Sequence, residues 1–223
     1  MLQSYNFLHI SDYITPVIQI DNDGHSWEEF WTKAAASVAI IGIIVAVSLF
    51  FVPGCSAIGG LLLSTSIGSL IGGAQSVKNG GSYLAGAAGG SIIGLGIGLA
   101  GVFGGGILLA ASEVSGLLSV GTAVGGLALG FGLGYGGGYY GSKITQNLNK
   151  QIFSYRSAVD SGLLFGGMGL ISVLGGSMAN AVFSTVGFTE TTYLAAGGFA
   201  AFITIGAEII IDTLSYLVEL YSN

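Results

Sequence analysis

The sequence predicts an all-α, membrane-inserting protein: a short polar head followed by glycine-rich apolar helices arranged as hairpins, about six spans in all. Three observations carry this prediction. Only 5 Lys+Arg and 11 Asp+Glu occur among 223 residues, so 7% of the chain is charged, against about 25% in a soluble domain. Hydrophobic residues make up 52%, leaving too few polar side chains to cover a water-exposed surface. Glycine supplies 41 residues of the 223, where about 7% is ordinary. Collagen is excluded because glycine lacks a strict three-residue period and only two prolines are present. Disorder is excluded because disordered chains are polar.

Residues 1–33 form the polar head. They hold Trp27, Trp31, His9, His25 and five of the eleven acids. Residues 34–223 form the hydrophobic domain, in which charge nearly vanishes: none lies between Lys33 and Lys78, between Lys78 and Glu113, or between Glu113 and Lys143. A spanning helix needs about 20 apolar residues, and each interval has room for one or two. The first span is Ala34–Val52, stopped by Pro53-Gly54. Its helix begins earlier, because Ser26 and Glu29 have the spacing of a capping box. Trp27, Phe30 and Trp31 precede Lys33 as residues at a membrane interface do. Further spans are expected at Ile58–Val77, Ser82–Ser112, Ser115–Ser142, Ser161–Thr189 and Thr191–Ile211, with a polar linker at Lys143–Asp160.

With alternating crossings, Lys33, Lys78, Lys143, Lys150 and Arg156 all fall on one side. The other side receives Pro53-Gly54, Glu113 and Glu190. A resident protein would show this pattern with its basic side in the cytoplasm. A protein inserting hairpins from outside would show it because a glutamate can protonate to cross, whereas arginine cannot.

The glycines are spaced for helix packing. Gly86, Gly90, Gly94 and Gly98 form one four-member G-x-x-x-G run, and Gly126, Gly130, Gly134 and Gly138 form another. Shorter pairs are Gly68/Gly72 and Gly162/Gly166. Four-residue spacing puts small residues on one helical face, where backbones approach closely. The alternation Gly130, Gly132, Gly134, Gly136 also fits a strand, but Ala34–Val52 is too long for a barrel strand of about 9–11 residues. On a helix it predicts two smooth faces and hence a helix between two neighbours.

Motifs that carry chemistry are mostly rejected. G-x-G-x-x-G occurs at Gly96-Gly98-Gly101, Gly132-Gly134-Gly137 and Gly136-Gly138-Gly141 without a strand–helix context. Gly136 to Lys143 misses the phosphate-loop order because Ser142 precedes the lysine. Asp21-x-Asp23-Gly24 lacks the first and twelfth ligands of a calcium loop. No catalytic residue, cofactor or metal is expected, and the chain reads as non-enzymatic. The net charge of −6 lacks the basic footprint of a nucleic-acid binder. Cys55 stands alone, so no intrachain disulfide forms. Glu208, Asp212 and Glu219, with Thr204 and Ser215, share one face of the last helix and form a candidate acidic face for a cation path; the alternative is a terminal helix that leaves the bilayer with its acids solvated.

The head reads Y-I-T-P-V-I-Q-I-D-N-D-G-H from Tyr13 to His25. It resembles the closing motif of Rhs/YD-repeat polymorphic toxins, in which a proline, four residues and D-P-x-G end a shell before a variable toxin tip. Pro16, Asp21 and Gly24 match in spacing, and Asn22 stands where that family has its second proline. The hydrophobic remainder is similar in style to the glycine-rich tips of such toxins. The resemblance implies a secreted, pore-forming antibacterial tip that acts on the target cell's inner membrane. Its expected partners are the lipid bilayer, a cognate immunity protein, the Rhs shell or a chaperone, and further copies of itself. The first twenty residues lack a secretory signal peptide, consistent with delivery by another route. A translocation segment of a larger toxin and a resident channel, transporter or holin are the alternatives.

Overall fold

A computed structural model of the chain describes residues 27–52, 55–183 and 207–222. Every regular element among them is helical: α1 (Trp27–Phe50), α2 (Ser56–Lys78), α3 (Tyr83–Leu99), a π-helical turn (Ala100–Gly104), α4 (Gly105–Ser112), α5 (Leu117–Leu148), α6 (Tyr155–Phe183) and α7 (Ala207–Ser222). The fold is all-α, as the composition predicts. Five helices among the described residues are long and apolar enough to cross a membrane, the third being the continuous rod Tyr83–Ser112. The expected sixth span, Thr191–Ile211, lies outside the described residues except for residues 207–211, which open α7.

α1 begins with Glu28 and Glu29 in its first turn, where carboxylates favour the positive end of the helix dipole. It runs unbroken through Lys33, whose ammonium lies 3.1 Å from Glu29 Oε1 one turn back. α2 ends by a left-handed residue: Gly80 has φ +74°. Gly81 N–H donates to the Ser76 carbonyl (2.7 Å), and Gly80 N–H donates to that of Val77 (2.9 Å). Glycine takes this backbone conformation without steric cost. α5 ends the same way with Lys150 (φ 55°) in the equivalent place, and Gln151 N–H donating to the Gln146 carbonyl (2.9 Å).

The expected linker Lys143–Asp160 is mostly helix. α5 continues to Leu148 and α6 starts at Tyr155, leaving only residues 149–154 between them. The segment I-T-Q-N-L keeps helical hydrogen bonds beyond the apolar stretch, and Gln146 Nε2 donates to Ser142 Oγ one turn back (3.0 Å). α5 therefore extends well past a bilayer's hydrocarbon core of about 30 Å.

Packing is antiparallel between successive long helices. Large side chains contribute little to the interior. Tyr83, Val173 and Ser172 are the largest fully buried ones among the described residues. Ala36, Ala39, Leu70, Tyr83 and Ala87 form a small core where α1, α2 and α3 meet, and Tyr216, Leu217 and Leu220 of α7 close over it. Outward faces are apolar: Val38, Ile41 and Ile44 on α1, Leu117, Val120 and Val124 on α5, and Ile171 and Leu174 on α6 are exposed. In water this surface would be an aggregation patch; in a bilayer it is the lipid face.

Several hydroxyls within the spans bond inside their own helix. Ser64, Thr65, Ser91 and Thr122 each donate to the carbonyl four residues back, which satisfies them where water is absent.

Candidate functional site

Glycine positions decide how the spans meet. All four members of the first run face α2. A Cβ on Gly86 would strike the Gly72 carbonyl oxygen, one on Gly90 that of Gly68, and one on Gly94 that of Ser64; Gly98 meets the Ser64 side chain at 3.1 Å. From the other side, Gly68 and Gly72 meet the carbonyl oxygens of Gly90 and Gly86. Such contacts replace side-chain interdigitation by backbone approach, which suits a solvent with no hydrophobic drive between helices.

The second run serves a different seam. Gly130 and Gly134 face Gly169 and Phe165 of α6, and a Cβ on Gly138 would come 2.5 Å from the Ser161 carbonyl oxygen. Gly126 turns instead to the π-helical turn, with the Gly104 carbonyl oxygen 2.8 Å from its Cβ position. The two runs therefore do not pack against each other.

α5 does lie between two neighbours, but its second smooth face is not the one that the alternation suggests. Gly132 and Gly136 have nothing within 4 Å of their Cβ positions. The seam to α3 is made by Gly137 and Gly141 against Gly96 and Gly89; the Cβ position of Gly141 lies 2.6 Å from the Gly89 carbonyl oxygen. The signals for this seam are the four-residue pair Gly137/Gly141 and the seven-residue pair Gly89/Gly96.

Gly162 and Gly166 act as slots for rings. Phe131, Tyr135 and Tyr139 stack along α5 with centroids 6.1 Å and 6.3 Å apart. The Cβ positions of Gly166 and Gly162 lie 2.7 Å from the Phe131 ring and 2.8 Å from the Tyr135 ring. Val173, fully buried, fills the point where Gly104 and Gly130 converge. Beside it Ser172 Oγ donates to the Ile97 carbonyl (3.2 Å), just before the π-helical turn. A π turn departs from the i→i+4 pattern, and this hydroxyl supports the adjoining backbone at membrane depth.

The two ends of the bundle differ chemically. At one end lie the start of α1, the end of α2, the start of α3, the end of α5 and the start of α6. Asn149 joins three of them: its Oδ1 accepts from Ser82 N–H (2.8 Å) and its Nδ2 donates to Ser76 Oγ (3.3 Å). Gln146 Oε1 accepts from Ser154 N–H (2.7 Å) and ties α5 to α6. All five basic residues belong to this end. Lys143 sits 5.8 Å from the centre of the Phe153 ring, and Arg156 lies 4.0 Å from Asp160. Trp27, Phe30 and Trp31 cluster there with centroids 5.5–5.6 Å apart. Such rings prefer the headgroup level of a bilayer. At the opposite end Glu113 is the single charged residue among those described.

α7 lies at the basic end. Tyr221 OH contacts Ser37 Oγ (2.7 Å) and donates to the Lys33 carbonyl (3.1 Å), and the Tyr216 ring stacks on Tyr83 at 6.0 Å. Burial, and then the Glu219 charge, push the Tyr216 hydroxyl above the ordinary tyrosine range. Of the candidate acidic face, Glu219 lies beside Lys78 in a groove between α2 and α7. Thr204 and the side chains of Glu208 and Asp212 lie outside the described residues, as do Pro16, Asp21 and Gly24 of the head motif.

No family model, no curated protein and no solved structure matches this chain.

Proposed function

We propose that this chain is a non-enzymatic, pore-forming toxin domain that inserts helical hairpins into the inner membrane of a target bacterium and collapses its potential. One observation carries the reading: charge is segregated between the two ends of a bundle of apolar helices. The end that must cross carries only Glu113 among the described residues, and a carboxyl can be neutralised by protonation at modest cost. The end that stays behind carries the lysines, the arginine and the interfacial tryptophans. Glycine seams support the same reading, because in water each helical glycine costs about 1 kcal/mol relative to alanine. The head motif with Pro16, Asp21 and Gly24 supports delivery as the tip of an Rhs-like shell, with an immunity protein in the producing cell.

The charge segregation also favours a second reading, a resident multi-pass channel, transporter or holin with its basic end in the cytoplasm. Induced expression separates the two. Under the toxin reading, membrane potential falls within minutes while DNA, RNA and NAD stay intact, and a neighbouring membrane-protein gene protects. Intact potential in dying cells sinks the toxin reading. Stable insertion with growth unimpaired supports residence.

A further inference from the structure

A cavity of about 330 Å³ opens among α2, α3, α5 and α6. Ile71, Ile93, Leu164, Phe165 and Met168 line its apolar part, and Gly72 and Gly90 present backbone rather than side chains to it. Gln75, Asn79 and Thr145 line its upper end and also line an adjoining open vestibule of about 530 Å³. The vestibule adds Ser142, Gln146, Gln151 and the hydroxyls of Ser157 and Ser161. Among the described residues lining the two spaces, none is charged.

The gradient runs along the helices. Asn79 and Gln151 belong to the basic end, at the level of Trp27 and Trp31, while Gly68 lies about 16 Å deeper along α2 at about 1.5 Å per residue. Hydrogen-bonding groups therefore stand at headgroup depth and apolar walls at hydrocarbon depth. The volume is at the small end of the range for ligand sites, about 300–1,000 Å³. That favours one acyl chain over the two of a phospholipid.

We infer that this cavity binds a single-chain amphiphile with an uncharged, hydroxyl-bearing head, of the monoacylglycerol class. Hydroxyls and carboxamides both donate and accept, so they match alcohol groups. A phosphate or carboxylate head would find no cation among the residues that line either space to pair it. The chain would lie over the glycine backbones, between Ile93 and Met168.

The test uses the full chain in nanodiscs with a monoacylglycerol that carries a photoreactive diazirine at mid-chain. Labelling should saturate and map to residues 68–75 and 164–168. Unlabelled monoacylglycerol should compete at a concentration at least tenfold below that of a fatty acid or lysophosphatidate of equal chain length. Met168→Trp, which fills the cavity, should cut labelling at least tenfold. Leu163→Trp, at a residue that is 54% exposed and is not among those lining the cavity, should leave labelling unchanged. Absent or non-saturating labelling, labelling spread evenly over Val38, Ile41 and Ile44, or equal competition by the charged amphiphiles would overturn the assignment. The competition series is read on the unaltered protein and so does not depend on how the variants fold.

Discussion

Gly169 of α6 faces Gly130 of α5 so closely that a Cβ on Gly169 would strike the Gly130 carbonyl oxygen. The same relationship recurs between Gly72 and Gly86, between Gly68 and Gly90, and between Gly89 and Gly141. Three consecutive seams are thus built from backbone against backbone. Dispersion across such contacts falls off quickly with separation, so the bundle's cohesion depends on a few positions having no side chain.

Gly130→Leu and Gly134→Leu should each destabilise the bundle, by about 1–3 kcal/mol or more, because the added carbons meet the fully buried Val173 side chain at the first position and the Phe165 backbone at the second. Gly132→Leu should be nearly neutral, since its Cβ position is open. Thermal unfolding in detergent, followed by circular dichroism, measures the contrast. Equal losses at all three positions would remove the seam's special role.

Asn149→Ala should destabilise the basic end by about 1–3 kcal/mol, because it leaves the Ser82 N–H and the Ser76 hydroxyl without their partner. Asn149→Asp keeps the acceptor for Ser82 but cannot donate to Ser76, and so should lose less. Hydrogen exchange at residues 79–85 locates the effect, which should be larger there than in residues 117–125 at the other end.

Docking of α7 should weaken at high pH. The folded state holds the Tyr216 hydroxyl protonated above its ordinary range. The corresponding stability is complete below the unfolded value, about 10, and is lost as pH rises through the folded value. A nitroxide at Ser222→Cys, in a Cys55→Ser background, should become more mobile above about pH 10. Tyr216→Phe should diminish that rise. Tyr221→Phe, which gives up the contacts to Ser37 and Lys33, should raise mobility already at neutral pH.

The two ends of the bundle should be reachable from opposite sides of a membrane. In a Cys55→Ser background, Lys78→Cys and Lys143→Cys should react with an impermeant maleimide from the same side, and Glu113→Cys from the other. Reaction of Lys78→Cys and Glu113→Cys from one side would refute the hairpin arrangement.

The sequence by itself determined the helices, their hairpin order and the gathering of Lys33, Lys78, Lys143, Lys150 and Arg156 at one end. Hydropathy, charge spacing and Pro/Gly punctuation are local properties and can be read along the chain. It also marked Gly86, Gly90, Gly94 and Gly98 as one packing face. Only the tertiary structure decided which neighbour each face meets. Gly134 contacts α6 while the Cβ position of Gly132 is open, Gly162 receives a tyrosine ring, and Gly137 and Gly141 serve the seam to α3. Four-residue spacing defines a stripe on a helix but not the rotation of that helix in the bundle. That rotation is set by contacts between residues far apart in the chain, such as Asn149 to Ser82 and Ser172 to Ile97.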